Sequence, residues 1–139
     1  MDETKRSQIV STIRSCGYTE TSPRVLVTRH QFFDGNDDLG SLGCNLSEHP
    51  GLETFDSVFR SIEALPEVSG VFFPISELLD EEGMFPYTDT AIIVTSLSPR
   101  AFEQLLAPLQ PDEIHSHSEK FANPPIIPPK HHLICAWWD

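Results

Sequence analysis

A chain of 139 residues with 39% hydrophobic content and a net charge of −12 is one domain able to bury a core, not a disordered chain. Such a charge repels nucleic acid and anionic membrane, and no apolar run approaches the ~20 residues of a bilayer span. Three cysteines without a C-x-x-C pair (Cys16, Cys44, Cys135) and an N-terminus without an apolar signal core imply a reducing cytoplasm.

Residues 1–22 are polar, with Ile9, Val10 and Ile13 their only aliphatic cluster. They predict a short helix ending near Gly17 that acts as an N-terminal extension, the domain proper being 23–139. Residues 24–28 (RVLVT) read as a brief strand, and Thr28 caps a helical turn, RHQFF. The following DGNDD places Asp34, Asn36 and Asp38 at the first, third and fifth places of a calcium loop. Leu39 stands where the sharp-turn glycine belongs and Asn45 where the bidentate glutamate belongs, so the segment reads as an Asx-rich turn. Residues 41–46 alternate, Leu42, Cys44 and Leu46 on one side, and predict a half-buried strand. Cys44 with His49 raises nucleophile chemistry, but a thiol on the apolar side of a strand is an inert core group.

Pro50 and Gly51 open a helix whose stripe is Leu52, Phe55, Phe59, Ile62 and Leu65. Glu53, Asp56, Arg60 and Glu63 take its wet face, and Pro66 ends it. A strand follows over 68–75, with Pro74 assigning its end to a sheet edge. Residues 76–89 turn acidic (Glu77, Asp80, Glu81, Glu82, Asp89) around Met84, Phe85, Pro86 and Tyr87. Long ordered loops tend to be functional, and aromatics ringed by charge describe a protein-binding hot spot. The competing reading tucks Phe85 and Tyr87 under the sheet.

The clearest unit is 89–109. Its apolar run at 91–94, β-branched at Ile92, Ile93 and Val94, predicts a strand covered on both faces. Ser98 and Pro99 start a helix with Phe102, Leu105, Leu106 and Leu109 on its stripe. Residues 112–118 make a weak edge strand, 122–130 a loop with four prolines, and 132–138 a terminal strand that sends Trp137 and Trp138 to opposite faces.

These elements predict an α+β fold: a mostly antiparallel sheet with two main helices on one face. The core is a ferredoxin-like split βαβ layout, with an extra N-terminal and an extra C-terminal strand. An antiparallel sheet of different strand order is the rival topology. Phe55, Phe59, Ile62, Phe102, Leu105 and Leu106 would lie together beneath it. His115 and His117 share one strand face, and one of His131 or His132 could approach from a neighbour; this spacing is weak, and no metal or cofactor is expected. No nucleophile elbow, phosphate loop or H-E-x-x-H occurs, so the chain reads as non-enzymatic.

The strings FFDGNDDLGSLGCNL, PYTDTAIIVTSLSP and AWWD look like those of small bacterial proteins without an assigned activity. Small size, acidity and the acid-plus-aromatic loop resemble the cytoplasmic immunity proteins of bacterial toxin systems, over about residues 25–139. That resemblance implies a protein that binds and inhibits a basic partner, such as a nuclease-like toxin. The expected contact residues are Asp34, Asp37, Asp38, Asp80, Glu81, Glu82, Phe85, Tyr87 and Asp89, with neither nucleic acid nor membrane as partner. The alternatives are a small metal-dependent enzyme using the histidines, and a regulatory or scaffold subunit.

Overall fold

A computed structural model describes residues 1–78 and 81–139. The central strand is β3 (Thr90–Thr95), all six of whose residues are buried, as a β-branched run without a polar side demands. It pairs antiparallel with β2 (Val68–Pro74) on one side and β5 (His132–Trp137) on the other. Beyond β2 lies β1 (Leu26–Thr28), and beyond β5 lies β4 (Glu113–Ser116). The result is α+β, a five-stranded antiparallel sheet in the order β1-β2-β3-β5-β4. Pro74 does not mark an outer edge. It ends β2 opposite Leu26 of β1.

The helices are α1 (Glu3–Ser15), α2 (Arg29–Phe33), α3 (Leu52–Glu63) and α4 (Glu103–Leu106). Phe55, Phe59 and Ile62 of α3 join Val71, Phe73 and Ile93 of the sheet in one large core. Phe32 stacks on Phe73 at 5.1 Å, and Phe59 meets Phe73 edge-on at 5.2 Å. The opposite sheet face carries a smaller cluster of Leu26, Ile92, Phe121 and Cys135, covered by the chain around Phe121. The helices and the acidic turns are therefore on one side, and a thin strap is on the other.

Three further expectations change. Residues 41–46 form no strand: a 3₁₀ turn at Leu39–Ser41 runs into bends. Gly43 takes φ 70°, and a Cβ there would lie 3.0 Å from Leu46 Cδ1, so this left-handed glycine ends the alternation. Without that strand the first split βαβ half is missing, and β1 reaches its antiparallel neighbour β2 through α2 and α3. The second half exists: β3 and β4 both run antiparallel to β5, which lies between them, and α4 is on the crossover.

The helix after Pro99 is a composite of 3₁₀ (Pro99–Phe102), α4 and 3₁₀ (Ala107–Leu109). The change of pitch moves the stripe to Phe102, Leu106 and Leu109, leaving Leu105 42% exposed. Finally, α1 is part of the core, with Ile9, Val10 and Ile13 all buried.

Candidate functional site

The acidic residues singled out in the sequence do not converge on one surface. Asp34 pairs with Lys5 Nζ at 2.6 Å and Asp37 with the N-terminal amine at 2.7 Å. Asp38 binds the backbone instead: Oδ1 accepts from Gly40 N–H at 3.0 Å and Oδ2 from Phe85 N–H at 3.1 Å. Asn36 Oδ1 accepts from Asp38 N–H at 2.9 Å, the Asx turn that the residue types implied. Asp80 lies outside the described residues.

Phe85 is not a surface anchor. It is 1% exposed and packs edge-on against Phe32 at 5.9 Å, while its backbone N–H donates to the Asp38 carboxylate. Tyr87 is half-buried, with its hydroxyl 3.9 Å from Cys44 Sγ, and burial pushes the phenol up to about 12. Glu81 and Glu82 are exposed, with no ion pair among the described residues. Two apolar side chains do reach solvent here: Leu39, 53% exposed, and Met84, 38% exposed. Each neighbours one end of the Asp38–Phe85 hydrogen bond. The Asp38–Phe85 hydrogen bond thus ties the segment that begins at the Asx turn to residues 84–85, with Phe85 buried beneath.

Asp89 belongs to a separate network on the strap side. Its Oδ1 accepts from Arg24 Nη1 at 3.0 Å, Ser76 Oγ at 3.2 Å and Thr90 Oγ1 at 2.7 Å, and its Oδ2 from Trp137 Nε1 at 3.3 Å. Arg24 also grips Glu119 with two nitrogens, at 2.8 and 2.6 Å. That contact holds the Glu119 carboxyl below its ordinary value. Next in line is His117, whose Nε2 lies 3.3 Å from Glu119 Oε1. Burial lowers its pKa, so its ordinary form is the neutral imidazole.

The histidines sort differently from their expected grouping. His131 Nδ1 meets Ser69 Oγ at 3.1 Å and His132 Nε2 meets Leu97 O at 2.7 Å, both at the far end of β5. His49 is fixed by backbone through both ring nitrogens, to Leu42 O at 2.8 Å and Gly51 N–H at 2.9 Å, so it is no base for Cys44. Cys44 itself is exposed, not on a core face. The residue that joins His115 and His117 is Cys135, directly opposite His115 across the β4–β5 pair. Sequence spacing does not show this, since it depends on which strand lies beside β4. The one available hint was that β5 carries Leu133, Cys135 and Trp137 at alternate positions.

No helix of the described residues is long and apolar enough to cross a membrane. No solved structure matches the chain. The protein called "Uncharacterized protein YfbO" of Escherichia coli (strain K12) is 26% identical over 121 residues, 85% of each chain. The model of the Uncharacterized protein YfbO family matches residues 4–136, from α1 through nearly all of β5, and the chain belongs to that family.

Proposed function

We propose that this chain is a non-enzymatic cytoplasmic protein that binds a basic protein partner and inhibits it by occlusion, a bacterial nuclease-like toxin being the kind of partner that fits. One observation supports this reading above the others. Leu39 and Met84 are exposed beside Glu81 and Glu82 on segments joined by the Asp38–Phe85 hydrogen bond. Exposed apolar side chains near acids that have no ion pair among the described residues suit a basic surface, the charges steering it and the apolar pair supplying contact area. Three free cysteines fit a reducing compartment. Of the expected contact set this reading keeps Glu81 and Glu82, adds Leu39 and Met84, and sets aside the buried Phe85 and the paired Asp89.

The test is co-expression with each product of the genes flanking its own. Growth arrested by one of them should be restored by this chain and not by the double variant Leu39→Asp/Met84→Asp, provided that variant melts where the parent does. Restoration by the folded double variant, or no toxic neighbour at all, would refute the reading.

A further inference from the structure

β4 is the sheet's short outer strand, paired on one side only, and its side chains Glu113, His115 and Ser116 are exposed. Such an edge is weakly held unless something fastens it. His115 faces Cys135 across the pair, and His117 extends the same side, its backbone N–H donating to Leu133 O at 3.0 Å. One donor atom from each of His115, His117 and Cys135 lies within 4.8 Å of the other two. His115 Nδ1 is 2.8 Å from Ser116 O; a carbonyl only accepts, so the ring proton is on Nδ1 and the Nε2 lone pair is free.

His117 is held more firmly. Its ring stacks on Phe121 at 5.7 Å and 15°, and its Nε2 is buried without an aligned hydrogen bond. A buried ring nitrogen left so is costly and asks for a partner. We propose that His115, His117 and Cys135 bind a divalent cation of the zinc type, with a fourth position open on the exposed His115 side.

The donors suit that class. Two imidazoles and a thiolate are borderline to soft ligands, which zinc accepts and the oxygen-seeking calcium and magnesium do not. Around a tetrahedral zinc such donors stand roughly 3.3–3.6 Å apart, given the usual bond lengths. The three donors, within 4.8 Å of one another, have about 1.5 Å or less to close to reach that spacing. Cys135 is 3% exposed and its thiol is pushed up to about 12 by burial, so without a cation it stays protonated. On binding, the S–H bond gives way to a metal–sulfur bond and one proton leaves to solvent. Affinity therefore rises with pH. The Glu119 carboxylate, already gripped by Arg24, lies 3.3 Å from His117 Nε2 and adds negative charge beside the cation position. The ion would fasten β4 and the strap to β5, a role that goes beyond partner binding and is independent of it.

The full chain, stripped with chelator, should take up one equivalent of Co²⁺ with thiolate-to-cobalt charge-transfer absorption and the intense visible bands of a tetrahedral site. One equivalent of Zn²⁺ should displace it and raise the melting temperature. Cys135→Ser should abolish the charge-transfer band, and the exposed-site change His115→Gln should weaken binding at least tenfold. Cys44→Ser should alter neither. Should Cys135→Ser fail to fold by circular dichroism, His115→Gln decides alone. Parent protein without the charge-transfer band, or a band that survives in folded Cys135→Ser or in His115→Gln at undiminished affinity, overturns the site.

Discussion

Arg24 ties the strap to the sheet through both its side chain and its backbone. Its guanidinium is 24% exposed and bridges Glu119 on the strap to Asp89 at the start of β3, two carboxylates that are themselves 31% and 30% exposed for Asp89 and Glu119. Its carbonyl accepts from Ala122 N–H at 3.0 Å, so backbone and side chain fasten the same segment. Replacing Arg24 by Met keeps the stem and removes the cation from both acids, leaving Asp89 its bonds from Ser76, Thr90 and Trp137 and Glu119 its contact with His117. The expected cost is about 2 kcal/mol, below that of a fully buried pair because solvent still reaches the site. Arg24→Lys should recover only part of it, lacking the fork that spans both oxygens of Glu119. Urea unfolding measures both, and a loss under ~0.5 kcal/mol for Arg24→Met would mean that solvent already screens the network. The sign of the pH effect follows from the depressed Glu119 carboxyl, whose first cause is the Arg24 hydrogen bond. Its contribution is present above the unfolded carboxyl value and is lost as pH falls through the lower folded value. Arg24→Met should flatten that acid limb.

Among the elements, α1 and α3 are the informative pair. The α3 stripe was legible because its apolar spacing is regular and flanked by Gly51 and Pro66, and the structure buries Phe55, Phe59 and Ile62 completely. Phe59→Ala should cost roughly 3–5 kcal/mol. In α1 the same signal is diluted: Ile9, Val10 and Ile13 lie among polar residues, and nothing local shows that they have a groove to fill. Ile13 is nevertheless fully buried, so Ile13→Ala should cost roughly 2–4 kcal/mol while the exposed neighbour Ser11→Ala stays within about 0.5. Equal effects at the two positions would detach α1 from the core. The errors share one cause. Gly43's positive φ, the 3₁₀ pitch after Pro99 and the placing of Cys135 beside His115 are decided by backbone geometry and strand neighbours, which side-chain periodicity does not encode. β3 was readable for the opposite reason, its residues being apolar on both sides.

At the scale of the whole molecule, charge is arranged between the N-terminal stretch and the rest. Sixteen acids and only two bases lie within residues 31–113. Most of the cations that answer them come from before that span: the terminal amine to Asp37, Lys5 to Asp34, Arg24 to Asp89, and Arg29 to Asp56 and Glu63, with Arg60 alongside on Asp56. The acids expected to meet a partner are thus largely satisfied at home, and Glu81 and Glu82 are left facing solvent. This separates steering from residence at the proposed surface. Glu81→Gln/Glu82→Gln should lower the association rate with a basic partner and flatten its salt dependence, leaving the melting temperature in place. Met84→Ala or Leu39→Ala should mainly quicken dissociation, by about thirtyfold if either is a hot spot worth ~2 kcal/mol. Phe85→Ala belongs to another class: its ring is core against Phe32, so it should lose roughly 3–5 kcal/mol of folding stability. Surface kinetics on the partner, recorded for the four variants across a salt series beside their melting curves, distinguish these effects. Dissociation unaltered by both Met84→Ala and Leu39→Ala would place the binding face elsewhere, since the acids alone give encounter without residence.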